Sequence, residues 1–347
     1  GGASPMHGHI RSIEIGTQDL SLKQLGNKLQ TSEDLMIIGG GQSLMRGHFK
    51  SQESDGEEGK QKHREIIGQK LSDQSIIMID GSLGGSAACK TSNGSLYWWD
   101  LATGSRGPAF DNFYTQIEDV GAKPTHVLWA QGEEDSHYIG EDTSATDYKQ
   151  ALEAIFSNMR ANLGDIKIYI QSIGRRDSFA NVGGVQAVRD IQQEIINEND
   201  WCYAAAETYD LALYDQVHLT DAAYVIAAQR NSLALLGAAG ATGPQINTVL
   251  RSGTSLTVTI THDAGTDFVP ASGIEGFKFF DDTNEILILS AERTNDTTLT
   301  LILAETPSSG IETLYYGYDD MSGLNPANVL RDNAATLMPL RPAKILL

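Results

Sequence analysis

From Leu35 onward the chain alternates short apolar runs with longer amphipathic ones, and this alternation limits the possible folds more than any other feature. The runs Leu35–Gly39, Ser75–Asp80, His126–Ala130, Lys167–Ile173 and Trp201–Ala205 have the length of strands and are mostly apolar, as strands covered on both faces are. Between them the spacing predicts helices over Thr146–Leu163, Val185–Asn197 and Asp221–Leu236. In the first of these Tyr148, Leu152, Ile155, Phe156 and Met159 recur near the helical period, and Gly164 ends the pattern. Strands alternating with helices imply a parallel sheet layered between helices, an α/β/α arrangement. Each strand then opens at its carboxyl end into a loop that can carry chemistry.

The texture changes at Gly237–Pro244, a run of small residues after which helical periodicity stops. Beyond it Ser255–Thr261, Glu285–Leu289, Thr297–Leu303 and Glu312–Tyr318 read as short strands separated by Asp, Asn, Gly and Ser, the pattern of a small β-sandwich. A chain of 347 residues is long enough for two cores, so the expected division is a lead-in over 1–33, an α/β domain over 34–241 and a C-terminal β-sandwich over 242–347. Gly1–Pro5 before Met6 reads as a cloning remnant, which leaves room for a native leader or further domains upstream; Ser51–Lys62, polar and charged, reads as an exposed loop.

Charge narrows the partners. Twenty-five basic against 45 acidic residues give a formal charge of −20, which opposes binding to nucleic-acid phosphates or an anionic membrane surface and suits a neutral substrate. No apolar run reaches the roughly 18 residues of a membrane span, and the first thirty residues lack the pattern of a signal peptide. Cys89 and Cys202 are far apart and outside any metal-type spacing, so neither a disulfide framework nor a zinc site is expected.

Three segments at predicted strand ends carry residues suited to chemistry. In Gly39-Gly40-Gly41-Gln42-Ser43, glycines permit the tight turn that lifts a serine hydroxyl above the sheet edge and frees N–H groups for an oxyanion, although a serine after such a turn is more often a helix cap. Asp215-Gln216-Val217-His218 can present a carboxylate and an imidazole from one short loop, as a serine needs at neutral pH, or His218 can simply pack locally. Trp129-Ala130-Gln131-Gly132-Glu133-Glu134-Asp135 offers a side-chain amide as an oxyanion donor, while Glu133 and Asp135 order the loop or meet substrate hydroxyls; a metal site from Glu133, Glu134 and Asp135 is disfavoured. Gly84-Gly85-Ser86 adds another turn whose N–H groups can converge on the same point.

Taken in order, these blocks resemble those of the SGNH hydrolases, and within them the sialate O-acetylesterase-like carbohydrate esterases. Gly41-Gln42-Ser43-Leu44-Met45 is similar to the group's Gly-Gln-Ser-Asn-Met, Trp129 through Asp135 to Trp-x-Gln-Gly-Glu-x-Asn/Asp, and Asp215 through Leu219 to Asp-x-x-His-Leu; Gly84-Gly85 and Trp98-Trp99 match a glycine pair before a Trp-rich stretch. The resemblance covers about residues 34–237 and implies an SGNH-type three-layer fold. It implies Ser43 as nucleophile, His218 as general base and then acid, Asp215 as the orienting carboxylate, and an oxyanion hole of the Ser43 and Gly85 N–H groups with the Gln131 amide. Leu44 departs from the group's asparagine, and Gln131 stands where the wider superfamily has its own.

The implied activity is removal of O-acetyl groups from a carbohydrate through an acyl-enzyme, with no metal or organic cofactor. Glu133, Trp98, Trp99 and Arg46 are candidates for sugar contacts, with His126, Arg175 and Arg176 behind them. The competing expectation is a non-catalytic glycan-binding or structural module with a degenerate esterase fold. An appended β domain fits a secreted bacterial enzyme, a cell-surface protein or a phage virion component. The sequence leaves the sugar, the acetylated position and the oligomeric state open.

Overall fold

A computed structural model describes residues 35–50, 76–177, 181–308, 310–334 and 337–347, with the backbone of two short paired strands, β1 (Ile13–Ile15) and β2 (Gln18–Leu20). The loop expected at Ser51–Lys62 lies outside the described residues, as does most of the lead-in. Strands β3 (Leu35–Gly41) and β4 (Ile76–Asp80) are followed by a three-stranded sheet of β5 (Ala87–Cys89), β6 (Tyr97–Asp100) and β7 (Ser105–Arg106), and then by β8 (His126–Ala130), β9 (Lys167–Ile170) and β10 (Cys202–Ala204). β3, β4, β8, β9 and β10 form one sheet in the order β10-β9-β8-β3-β4, every pairing parallel.

Alternation along these strands sends neighbouring side chains to opposite faces. Met36 and Ile38 of β3, with Val127 and Trp129 of β8, join one core; Ile37 and Leu128 join the other. The first core is closed by α2 (Pro108–Val120), α4 (Ala145–Leu163) and α5 (Val182–Glu198), the second by α1 (Ser43–Gly47) and α6 (Asp221–Leu235). A short α3 (Glu133–Tyr138) follows β8. The result is the three-layer SGNH-type fold with a β-rich domain after it.

Helix α2 has no counterpart among the sequence-based expectations, yet its signals are present. Pro108 sits in the first turn, Ala109, Phe110, Phe113, Ile117 and Val120 face the core, and Gly121 ends the helix at a φ of 72°. Helix α6 exposes a stripe of Ala222, Ile226 and Gln229 in its first half and is buried throughout from Arg230 to Leu235, where Arg230 reaches the Leu337 carbonyl of the C-terminal part.

The C-terminal strands are β11 (Gln245–Ser252), β12 (Ser255–Thr261), β13 (Phe268–Val269), β14 (Phe277–Asp281), β15 (Asn284–Ile286), β16 (Ile288–Asn295), β17 (Thr298–Leu303), β18 (Glu312–Tyr316), β19 (Arg331–Asp332) and β20 (Ala343–Leu346). They form two antiparallel sheets, β11-β12-β17-β16 and β15-β14-β18-β20, with β13 paired to β19. Leu256, Val258 and Ile260 of the first sheet meet Phe277, Phe279 and Leu314 of the second in one core, so the two sheets form a sandwich. The single strand expected at Glu285–Leu289 is divided: β15 ends at Ile286 and β16 begins at Ile288.

Polar bonds join the sandwich to the α/β domain. Arg230 of α6 forks onto Asp210 with Nη1–Oδ1 and Nη2–Oδ2 distances of 2.6 and 2.8 Å, and Arg331 of β19 donates to the same carboxylate at 3.0 Å. Tyr209 contributes its ring to the sandwich core and its hydroxyl donates to the Leu340 carbonyl.

Candidate active site

In a doubly wound sheet the ligand crevice opens at the carboxyl ends of two adjacent strands whose onward connections run to opposite sides. Here that point lies between β3 and β8, because the chain leaves β3 for β4 on one side and later returns to β8 on the other. Gly41 ends β3 with a φ of 113°, and a Cβ there would stand 2.0 Å from the Ala130 carbonyl oxygen, so only glycine allows the close approach. Gln42 then donates its N–H to Ala130 at 2.9 Å, and Ser43, half-buried, opens α1. Leu44, the departure from the family pattern, is 2 % exposed and packs in the core beside Met45.

The second element is the loop before α6. A bridge between Leu213 and Leu219 closes it, with the Tyr214 N–H donating to the His218 carbonyl at 2.7 Å. Inside the loop Asp215 Oδ1 accepts the Val217 and His218 N–H groups at 2.8 and 2.7 Å, and Oδ2 lies 2.7 Å from His218 Nδ1. Partial burial opposes ionisation of Asp215, but the hydrogen bonds from the His218 N–H, the His218 ring and the Val217 N–H outweigh it and hold the carboxyl below its ordinary value. A carboxylate so placed fixes the ring and favours the tautomer with its proton on Nδ1, leaving Nε2 as a base. Thr220 caps α6 next to this loop, and Tyr224 in its first turn packs so tightly on α1 that a Cβ at Gly47 would lie 2.0 Å from its ring. That contact sets the His218 loop beside the helix that begins at Ser43. The Ser43 hydroxyl has no hydrogen-bond partner among the described residues, and a serine–histidine bond of this kind commonly closes only around substrate.

The third segment, after β8, departs from expectation. Gln131 is fully buried; its amide donates to Asp135 Oδ2 and its side-chain oxygen accepts the Tyr148 hydroxyl at 3.2 Å. The Gln131 amide, expected as an oxyanion donor, thus has one of its N–H groups engaged by the buried Asp135 carboxylate. Asp135 also takes the N–H groups of Ala88 and Cys89 at 2.6 and 3.1 Å and the Ser92 hydroxyl at 2.8 Å, tying β5 to α3. With its oxygens so engaged it has little to offer a metal, and among the described residues no group of His, Cys, Asp or Glu is arranged to hold one. Gln42, part of the motif around Ser43 but given no role from the sequence, turns its side-chain oxygen to the N–H groups of Gly132 and Glu134 at 3.4 and 3.2 Å, locking the two strand ends together.

Glu133 is 3 % exposed and its Oε2 has no hydrogen-bond partner among the described residues. Burial pushes its carboxyl up, while its own backbone N–H and the nearby Arg176 and His218 charges pull the other way. Expected as a sugar contact, Glu133 is thus enclosed, near enough to His218 and Arg176 to feel their charges. Gly85 stands in a turn at a φ of 71°, and the turn is tied to the one before Ser43 by the Leu83 N–H donating to the Gly41 carbonyl at 3.0 Å. The N–H groups of Ser43 and Gly85 meet no protein acceptor among the described residues.

Of the other sugar-contact candidates, Trp98 is fully buried against Phe110, Phe113 and Trp129, so no ring face can meet a sugar. Its Nε1 donates to Ser86 Oγ at 2.9 Å, and that hydroxyl in turn reaches the Gly41 carbonyl at 3.3 Å, a support beneath the Gly85 turn. Trp99 is half-buried and packs on Phe110, and His126 lies on Tyr169. Arg46 is exposed on α1, and its Nη1 would be 3.7 Å from a Cβ at Gly84, which puts it at the site's rim. Arg175 and Arg176 are buried and bonded within the protein.

Fold and site together define an SGNH-type hydrolase domain: a serine after the first strand of a five-stranded parallel sheet, and an Asp-x-x-His loop before its last helix. The profile of the family "carbohydrate esterase, sialic acid-specific acetylesterase" matches residues 64–236, a span that includes Gly85, Gln131, Asp215 and His218 and begins after Ser43. The α/β domain is similar to that carbohydrate-esterase family over this span. A carbohydrate acetylesterase from Xanthomonas citri shares the fold at a TM-score of 0.63 and 15% identity, over 89% of this chain and 80% of its own. A protein from Arabidopsis thaliana aligns at a TM-score of 0.46 and 18% identity, over 59% of this chain and 98% of its own. A family two carbohydrate esterase from Clostridium thermocellum, solved with cellohexaose, aligns at 0.41 and 17% identity over 60% and 66%.

Proposed function

We propose that this protein is a serine esterase that removes O-acetyl groups from a carbohydrate through an acyl-enzyme. The observation that carries the reading is the Asp215–His218 pair, held at 2.7 Å in a loop that packs beside the helix opening at Ser43. Ser43 Oγ attacks the acetyl carbonyl as His218 takes its proton, and the N–H groups of Ser43 and Gly85 hold the developing oxyanion. His218 returns the proton to the departing sugar hydroxyl. Water activated by the same ring then attacks the acetyl-serine, acetate leaves, and the serine is restored. Both members of the pair are open to solvent, with side chains 24% and 45% exposed for His218 and Asp215, which suits an ester carried on an extended glycan.

Acetate release from p-nitrophenyl acetate and from acetylated polysaccharides tests this reading. Ser43→Ala and His218→Ala are expected to lower kcat by at least about a thousandfold while remaining folded. Full activity in either folded variant would refute the assignment and favour a non-catalytic glycan-binding module.

A further inference from the structure

The loop after β9 is irregular yet buried. Gln171 through Arg176 are all enclosed, although loops usually run over the surface. Its cover is the C-terminal segment 317–324. The Arg176 N–H donates to the Asp320 carbonyl at 2.9 Å, and Arg175 Nη1 to the Leu324 carbonyl at 2.9 Å. Arg189 of α5 holds the same segment from beneath, donating to the carbonyls of Gly317 and Asp319 at 2.7 and 2.9 Å, while Gln186 accepts the Asp319 N–H at 2.8 Å. Asp319 and Met321 adopt φ values of 68° and 55°, left-handed conformations that non-glycine residues keep only where their surroundings enforce them.

On its other side this loop meets the hydrolytic centre. Arg176 Nη1 donates to the Glu133 carbonyl at 2.6 Å and to Ser136 Oγ at 2.9 Å, and its Nη2 lies 3.0 Å from His137 Nε2, so one guanidinium holds the whole first turn of α3. The next residue, Asp177, donates its N–H to the Gln216 carbonyl at 3.0 Å, inside the loop that presents Asp215 and His218. We propose that Arg176 is a positioning residue for hydrolysis: its backbone N–H is anchored by the C-terminal segment Gly317–Leu324, its guanidinium fixes the α3 turn, and the Asp177 N–H that follows it holds the Asp215–His218 loop. The sandwich is on this account a part of the catalytic architecture. A guanidinium suits the task because it is planar and donates in several fixed directions at once, which an ammonium cannot reproduce. The proposal rests on the serine-esterase reading.

The test uses the full chain and p-nitrophenyl acetate, too small to sense a distant glycan contact. Arg176→Ala is expected to lower kcat at least about tenfold with KM within about twofold, since small displacements of catalytic groups are costly. Arg176→Lys should recover only part of this. Arg189→Ala, which touches the C-terminal segment and no hydrolytic residue, should lower kcat in the same sense by less, and it decides the matter with Arg176→Lys if Arg176→Ala does not fold. Unchanged kcat in the folded variants, a rise in KM alone, or full recovery by lysine would overturn the proposal. A serine-directed fluorophosphonate separates the two readings: a labelled, active parent whose variants turn over normally defeats the positioning role alone, whereas an active parent that resists labelling defeats both.

Discussion

At the scale of single residues, the geometry around Ser43 is braced by side chains buried behind it. Trp98 illustrates this: its indole N–H reaches Ser86, which reaches Gly41, so the residue supports both turns that would hold the oxyanion. Trp98→Phe keeps most of the packing and is expected to cost about 1 kcal/mol of stability and to lower kcat with KM unchanged, as steady-state kinetics and urea denaturation can show. A sugar platform would instead raise KM for glycans. His48 makes a second case. Burial drives its pKa down to about 4 from an ordinary 6.5, against the opposing hydrogen bond with Gln171. The unfolded chain then takes up the proton first as pH falls, so the contribution of the neutral ring is intact above pH 6.5 and is lost as pH falls through about 4, roughly 3 kcal/mol in all. Protonation of Glu133, Asp135 and Glu207, whose carboxyls burial pushes up, acts with the opposite sign in acid. Comparison with His48→Gln isolates the histidine: the variant should lose less stability between pH 6.5 and pH 4 than the parent does.

At the scale of elements, what the sequence disclosed followed how directly each element was encoded. The five sheet strands and helix α4 were legible because buried strands are apolar runs and α4 has one apolar face, with a Ser144–Asp147 capping box before it. Helix α2 was not anticipated although Pro108, Gly121 and its apolar face mark it. The Ser43 turn and the Asp215–His218 loop were legible as motifs, since each is local in sequence. The fate of Gln131 was not, because its partners Asp135 and Tyr148 come together only when α3 and α4 pack. Asp135 is the joint of that packing: four donors converge on it from Ala88, Cys89, Ser92 and Gln131. Asp135→Asn turns one acceptor into a donor among donors, and is expected to destabilise the fold by about 3 kcal/mol in chemical denaturation and to reduce activity through the loosened Gly85 turn.

At the scale of the whole molecule, the two domains share polar anchors that no pattern within either could reveal. Asp210 is buried between Arg230 of the α/β domain and Arg331 of the sandwich. Asp210→Ala leaves the 2 % exposed Arg230 charge without its partner, so a loss of about 3–5 kcal/mol and a lower melting temperature are expected by calorimetry. The texture change at Gly237–Pro244 pointed to a second unit, but nothing local to 317–324 indicated that it would reach the hydrolytic centre; the arginines that receive it are far away in sequence. The central claim remains that Ser43 is the nucleophile. Its most direct measurement is reaction of the parent with a serine-directed fluorophosphonate, followed by peptide mapping and the residual rate of acetate release. The account predicts one label per chain, on the Ser43 peptide, with activity lost in proportion to labelling; a label on another residue, or activity that survives complete labelling of Ser43, would contradict it.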